Sequence, residues 1–258
     1  RVLFRSAIRD HTIANLDHYL ELAERNVIEA GGHVFFAKDA DAAAEYVLEL
    51  ARSKDAKLVV KGKSMLSEEM GLNKRLEDQG VEPVETDLGE FIIQLADETP
   101  FHIIAPAIHK TKDEVSGLFQ EKLGSPWYDE PTDLTQEARR QLRKKFLDAD
   151  MGITGANFLV AETGTLVLVT NEGNGRMCTS MPKVHVAIMG MEKVVPSMDD
   201  LGTMLPLLIR SATGQRISSY VTFINGPRGA DEEDGPEEFH LVIVDNGRSR
   251  LLADPELR

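Results

Sequence analysis

Cysteine is nearly absent from this sequence, with Cys178 as the single example among 258 residues. A disulfide needs two cysteines and a [4Fe–4S] cluster needs four, so this chain can form neither by itself. A zinc site built from cysteines is excluded for the same reason. We therefore expect no cofactor and no metal site within this chain.

The sequence also lacks a long apolar run and an excess of positive charge. No stretch approaches the roughly 18 apolar residues of a membrane helix, and the charged start of the chain does not resemble a signal peptide. The 29 Lys and Arg residues face 43 Asp and Glu residues, which gives a formal net charge of −14. Such a charge repels nucleic acids and anionic membranes. We expect a cytoplasmic protein with no membrane span and no nucleic-acid partner, and the start at Arg1 suggests a fragment or processed product.

Strand and helix patterns alternate through the first part of the chain. Strands are predicted at residues 33–37, 57–60, 81–85 and 101–105, with amphipathic helices between them. This alternation predicts an α/β fold, an open and mainly parallel sheet with helices on both faces. From residue 152 onwards, short β-rich runs separated by glycine turns replace the alternation. We expect residues 1–52 to form an N-terminal extension that packs on a main domain of residues 53–258.

Two lysines and a serine follow the second predicted strand. The sequence Gly62-Lys63-Ser64 is not a P-loop, because Lys57 occupies the position of the first glycine. Lys61 and Lys63 precede a helix predicted to begin near Ser64, which would set two positive charges at the positive end of a helix dipole. This arrangement indicates an anion site, or else a solvated turn in which Ser64 is an ordinary N-cap.

A polar, glycine-containing segment follows another predicted strand at residues 171–176. It is not a dinucleotide fingerprint, since Cys178 stands where the third glycine would be. Arg176 could bind a carboxylate or phosphate with two hydrogen bonds, beside Asn174 and Gly175. The segment is interpreted as a ligand-binding loop or as a structural turn.

The turn formed by Glu162, Thr163, Gly164 and Thr165 lies between two apolar runs. A carboxylate in that position is either paired or functional, so Glu162 is the candidate catalytic residue. The alternative is that Glu162 accepts backbone N–H bonds and that Gly164 supplies a positive φ angle.

His109 follows the strand predicted at residues 101–105, at the carboxyl end where open α/β sheets bind ligands. No second histidine or carboxylate stands at metal-ligand spacing, so zinc is not expected there. The alternative is a solvated loop histidine.

Four motifs together resemble the LUD domain family, which is shared by lactate-utilisation proteins of the B and C types. They are Gly152-Ile-Thr-Gly-Ala-Asn157, Ala161-Glu-Thr-Gly-Thr165, Val169-Thr-Asn-Glu-Gly-Asn-Gly-Arg176 and Met189-Gly-Met-Glu192. Four further segments resemble the B type, namely those at residues 85–90, 105–110, 143–147 and 235–248. The resemblance extends from about residue 11 to residue 250.

The resemblance implies a fold similar to glucosamine-6-phosphate deaminase, ribose-5-phosphate isomerase and CoA transferases, with a ligand crevice at the strand ends. It also implies a subunit of a bacterial iron–sulfur oxidoreductase system that oxidises L-lactate to pyruvate with A- and C-type subunits. Members of the B type continue into a ferredoxin-like domain with two [4Fe–4S] clusters, which this chain lacks. The chain itself would bind a small anionic metabolite or a partner subunit, without lactate dehydrogenase activity of its own.

Two alternatives remain open at this point. The chain could be an enzyme on CoA-linked or phosphorylated small molecules, because Glu162-Thr-Gly is similar to the Glu-Asn-Gly of CoA transferases. It could also be a non-catalytic module that assembles the other subunits. If the chain binds a ligand, one shared crevice is expected to hold Glu162 and the candidate binding residues. These are Lys61, Lys63, Ser64, His109, Thr163, Gly164, Thr165, Asn174, Gly175 and Arg176.

Overall fold

The structure, a computed structural model, describes residues 2–101, 105–254 and 256. The helices are α1 Val2–Ala14, α2 Leu16–Glu29, α3 Ala40–Ser53, α4 Met65–Glu69, α5 Leu72–Glu77, α6 Leu88–Ala96, α7 Lys112–Leu123, α8 Pro131–Asp148, α9 Asn174–Ser180, α10 Met198–Thr213 and α11 Arg248–Ala253. The strands are β1 His33–Ala37, β2 Leu58–Lys61, β3 Glu82–Glu85, β4 Met151–Thr154, β5 Phe158–Val160, β6 Thr165–Thr170, β7 Val184–Gly190, β8 Val194–Val195, β9 Tyr220–Ile224 and β10 Glu238–Val244. A short 3-10 helix spans Met191–Lys193.

Within the described residues, six parallel strands form the main sheet, in the order β1-β10-β7-β4-β2-β3. Every residue of β7 is buried, which is typical of a parallel strand covered on both faces. The sheet takes strands from both sides of residue 152, so no boundary between separate cores lies there. The predicted fold class, a mainly parallel α/β sheet, is confirmed.

Different elements cover the two faces of the main sheet. On one face, Val59, Ile153 and Ile188 pack against α3, α4 and α5. On the other face, α2 and the second sheet cover Ala187 and Leu241, while α6 to α9 cover the β2 and β3 side. Helices therefore lie on both faces, as the alternating pattern predicts.

A second sheet of four strands, in the order β8-β5-β6-β9, was not predicted as a separate unit. Strands β5 and β6 form an antiparallel hairpin, and its turn contains Gly164 with φ +67°. A Cβ atom at Gly164 would lie 2.7 Å from the backbone nitrogen of Val27 in α2. The turn therefore docks this sheet against α2, and only glycine permits that approach.

The strand predicted at residues 33–37 has the predicted bounds, as β1. The helix predicted to begin near Ser64 ends at Glu69, and a second helix begins at Leu72, because Gly71 lies between them in the left-handed region. Residues 174–180 form a helix rather than a loop. The strand predicted at 101–105 falls mainly on residues 102–104, outside the described part of the chain.

The division of the chain at residue 52 stays a prediction, although β1 is the edge strand of the main sheet. Among the described helices, none has the length and apolarity needed to cross a bilayer.

The crossing of β4 and α9 gives a test of the packing. A Cβ atom at Gly152 would lie 1.9 Å from the backbone oxygen of Cys178, so Gly152→Ala forces the strand and the helix apart. We expect a loss of about 3 kcal/mol in the free energy of unfolding, measured with urea.

The matched control is Gly202→Ala in α10, where the added carbon would meet open space, with no described atom within 4 Å apart from its neighbours and its own helix backbone. This change should stabilise the protein by about 0.5–1 kcal/mol, because alanine favours the helix interior. Equal effects of the two substitutions would contradict the described packing.

Candidate functional site

A buried ion pair joins the carboxyl ends of β2 and β3. The parallel register sets Lys61 opposite Glu85, and Lys61 Nζ lies 2.6 Å from Glu85 Oε1. The two side chains are only 2% and 8% exposed. A charge this far from water must be paired and hydrogen-bonded, so each of these two side chains needs the other as its partner.

Asn73 from α5 completes this pair. Its side-chain oxygen accepts a hydrogen bond from Lys61 Nζ, and its Nδ2 donates to Glu85 Oε1 over 2.8 Å. Helix α5 begins after Gly71, whose left-handed conformation turns the chain from α4 into α5. The amide thus gives both buried charges a second polar contact.

Two more glutamates and a second lysine surround the ion pair. Glu90 lies in the first turn of α6, which is capped by Asp87, and its Oε1 is 3.9 Å from Lys63 Nζ. Its carboxyl group is within hydrogen-bond reach of Glu85 and of Glu68 in α4. We call Lys61, Lys63, Glu68, Glu85 and Glu90 the lysine–glutamate cluster.

The cluster raises the pKa of one of its carboxyl groups strongly. Burial, followed by the negative charge of Glu85 and then Glu68, raises the pKa of Glu90 to about 9, against the opposing effect of Lys63. Burial also raises the pKa of Glu68. Glu90 is therefore a neutral carboxylic acid at neutral pH, which can donate a hydrogen bond.

A polar segment borders the cluster on the side of α9. Thr86 Oγ1 donates to the backbone oxygen of Lys61 over 2.7 Å, and Asn174 Nδ2 donates to Thr86 Oγ1 over 3.2 Å. A Cβ atom at Gly62 would lie 3.9 Å from the Cα of Gly175. Lys63 and Asn174 are both partly exposed, so the buried cluster reaches solvent at this point.

The structure thus brings together five of the predicted site residues. Lys61, Lys63, Ser64, Asn174 and Gly175 all lie around Gly62, at the carboxyl ends of β2 and β4. Ser64 also has the ordinary role of N-cap, since its Oγ accepts a hydrogen bond from the backbone N–H of Ser67 over 3.3 Å. The predicted basic segment and the predicted polar segment therefore meet.

The Glu162 turn lies elsewhere. Glu162 Oε2 accepts a hydrogen bond from the backbone N–H of Met198 over 3.1 Å, at the first residue of α10. The turn is at one end of β6, while Thr170 beside Gly175 is at the other, roughly 17 Å away for a strand of this length. Glu162 is thus a backbone acceptor in a turn, and Thr163, Gly164 and Thr165 lie at the same distant end.

Arg176 lies on the opposite side of α9 from Asn174, because two residues are roughly 200° apart around a helix. It faces a cleft of about 500 Å³ at the amino ends of β7 and β10. The lining includes Thr179, Thr222, Phe223 and Arg228. Arg176 therefore belongs to a different part of the surface from the lysine–glutamate cluster.

His109 pairs with Glu98, which follows the end of α6, whereas Glu90 lies in the first turn of that helix. His109 Nε2 lies 2.8 Å from Glu98 Oε2, and its ring packs against Phe101. The expectation of one crevice shared by all the candidate residues is therefore wrong for the Glu162 turn and for Arg176, while a place for His109 in that crevice stays a prediction. Whether each of these residues binds a ligand stays a prediction.

Four important residues were missed as site candidates: Asn73, Glu68, Glu85 and Glu90. A signal for two of them was present, because Glu85 ends a strand and Glu90 falls in the first turn of the next helix, within a motif that resembles the B type. Asn73 and Glu68 lie on helix surfaces, where the sequence pattern gives no sign of burial against a strand end.

The described residues do not fit an iron–sulfur cluster. Cys178 is fully buried, and burial raises the pKa of its thiol to about 12. Within residues 2–101 and 105–254, no group of three or more His, Cys, Asp and Glu side chains is arranged to hold a metal ion. This part of the chain therefore offers no set of ligands for such a cluster.

The sequence model of the LUD domain matches residues 20–244. Relatives named "Lactate utilization protein B" are 52% identical over 246 residues in Bacillus licheniformis and 54% identical over 245 residues in Bacillus cytotoxicus. Each match covers 95% of this chain and 52% of the relative, so the chain spans about half the length of these relatives. A crystal structure of a DUF162 family protein from Deinococcus radiodurans aligns with a TM-score of 0.47 and 14% identity, covering 89% of this chain and 98% of that one.

The ion pair leads to a stability prediction. Lys61→Met should lower the free energy of unfolding by about 3–5 kcal/mol, because it leaves the Glu85 carboxylate buried without its partner. The double substitution Lys61→Met/Glu85→Leu should recover most of that loss, since it removes both charges. Urea unfolding of the single and double variants at neutral pH measures the coupling, and strictly additive losses would contradict the described pairing.

Proposed function

This chain belongs to the LUD domain family, and we propose that it is the LUD part of a bacterial lactate-utilisation protein acting in the oxidation of L-lactate to pyruvate. The proposal is supported by the shared name of relatives that are more than half identical across 95% of the chain. Its A- and C-type partners and a cytoplasmic location are part of the same proposal.

The role proposed for this chain is to bind a small carboxylate at the lysine–glutamate cluster. The observation that carries this is the partly exposed side chain of Lys63 beside the buried carboxyl of Glu90, at the carboxyl ends of parallel strands. The Lys63 ammonium would bind the carboxylate, and Asn174 would border it with a second polar side chain. Open α/β sheets bind their ligands at these strand ends.

The electron-transfer chemistry is assigned to other parts of the system. Two [4Fe–4S] clusters are proposed in a ferredoxin-like domain outside this chain, because one buried cysteine cannot supply four thiolate ligands. The chain alone is therefore expected to have no lactate dehydrogenase activity.

The alternative functions are less well supported. The contact between Glu162 and the backbone of Met198 gives no support to Glu162 as a nucleophile on CoA-linked or phosphorylated substrates. A purely assembling module needs no buried carboxyl group beside a partly exposed lysine. Growth and binding measurements distinguish such a module from a ligand-binding domain.

A genetic test addresses the pathway. Deleting the gene that encodes this chain should abolish growth on L-lactate as sole carbon source and leave growth on pyruvate intact. The wild-type gene should restore growth, and a gene carrying Lys63→Met should not, although the protein accumulates to the same level.

Normal growth of the deletion strain on L-lactate would overturn the proposed function. Full rescue by Lys63→Met would instead favour the assembly role, because the protein would be needed while its ligand site was not.

A binding test addresses the site. Calorimetric titration with L-lactate and with pyruvate should show binding that Lys63→Met weakens about tenfold to a hundredfold, since a lost charged hydrogen bond costs about 1.5–3 kcal/mol. Arg176→Ala is the matched control, because Arg176 lines the separate cleft and should leave the affinity unchanged. Weakening by Arg176→Ala alone would move the ligand from the cluster to that cleft.

A further inference from the structure

Two buried carboxylate oxygens in the lysine–glutamate cluster have no hydrogen-bond donor among the residues that the structure describes. Lys61 Nζ and Asn73 Nδ2 both donate to Glu85 Oε1, which leaves Glu85 Oε2 without a partner. Glu90 Oε1 likewise has none, because Lys63 Nζ lies beyond hydrogen-bond distance at 3.9 Å. Both glutamates are more than nine-tenths buried, so water is not freely available to them.

The charges of the cluster point to a missing proton. Two lysines face three glutamates, so the fully ionised cluster has a net charge of −1. Carboxylates in hydrogen-bond contact cannot all be ionised without strong repulsion. One proton between Glu85 and Glu90 supplies the absent donor and makes the cluster neutral.

We propose that Glu85 and Glu90 share one proton, and that this proton is required for the cluster to accept a small carboxylate ligand beside Lys63. The second clause rests on the proposed function. A bound monoanion would give the protonated cluster a net charge of −1, whereas it would give the deprotonated cluster a net charge of −2 in a poorly hydrated site. Binding of the anion and retention of the proton therefore favour each other.

Groups from every neighbouring element act on this proton. Lys61 of β2 pairs with Glu85 of β3, Lys63 precedes α4, and Glu68 of α4 adds a negative charge. Asp87 before α6 accepts two backbone hydrogen bonds, and α9 contributes the uncharged amide of Asn174. The proton of Glu90 is thus held by burial and by two negative neighbours, and it is opposed by Lys63.

The effect on stability has a definite sign. The pKa of Glu90 is raised in the folded protein from 4.5 to about 9, so its protonation stabilises the fold fully below about pH 4.5. That contribution is lost progressively as the pH rises towards 9. Glu90→Gln keeps a neutral side chain with a donor at every pH, so it removes this loss.

The first experiment uses the protein without ligand. Thermal unfolding of wild type and Glu90→Gln is measured between about pH 5 and pH 9.5, with Glu49→Gln on the exposed face of α3 as control. We expect the melting temperature of Glu90→Gln to rise relative to wild type by several degrees across this range, while Glu49→Gln follows wild type. A constant difference between Glu90→Gln and wild type would overturn the shared proton.

An infrared difference spectrum between wild type and Glu90→Gln gives a second readout that does not depend on stability. Protein labelled with ¹³C at the glutamate carboxyls should show the band of a neutral carboxylic acid at neutral pH, and Glu90→Gln should lose it. Absence of the band in a folded wild-type protein would also overturn the shared proton.

The second experiment titrates pyruvate and L-lactate calorimetrically at several pH values. Wild-type affinity should fall about tenfold for each pH unit above the pKa of Glu90, as expected for one linked proton, and the affinity of Glu90→Gln should not follow this fall. Binding with the same pH dependence in both proteins would overturn the link to the ligand. Absence of any binding would overturn the ligand clause and the proposed carboxylate site, while the infrared and melting data decide the shared proton separately.

Discussion

The register between β2 and β3 places a lysine directly opposite a glutamate at the last residue of each strand, and both side chains are buried. Desolvating two charges costs several kcal/mol for each ion, so the pair can persist only with further polar contacts around it. Asn73 supplies such contacts for both partners. Thr86 continues β3 and bonds to the backbone of Lys61, which fixes the strand ends against each other. The first role of the residues at these positions is therefore to stabilise the buried ion pair, and any contact with a ligand comes in addition.

The two ends of β6 explain why the candidate residues separate into distinct places. At one end, the tight turn with Gly164 packs on α2, and Glu162 caps the start of α10. At the other end, the chain enters α9 and brings Asn174 to Thr86. A strand carries its two neighbouring turns to opposite ends by its length alone. Residues close in sequence, such as Glu162 and Asn174, therefore cannot share a crevice.

Local patterns predicted β1, β2 and β3 of the main sheet, because buried parallel strands read as apolar runs between turn residues, whereas β4 was not predicted. The lysines and Asn174 were predicted to line one site, and Thr86 links the backbone of Lys61 to Asn174, although Asn174 follows β6 of the second sheet. The pairing of Lys61 with Glu85 was not predicted, because 24 residues separate them and neither local sequence indicates that the two strands are neighbours in the sheet. The helix that contains Arg176, α9, was not predicted, because the two glycines at its start are typical of a turn.

Helix α4 connects the cluster to the other half of the sheet, although it is only five residues long. Glu68 faces Glu90, whereas the next residue, Glu69, binds Arg248 over 3.0 Å. Arg248 in turn lies 3.1 Å from Glu192, which follows the end of β7. Neighbouring glutamates on one helix thus contact networks at both halves of the carboxyl edge. A shift of α4 that moved Glu68 would therefore also move Glu69 relative to Arg248.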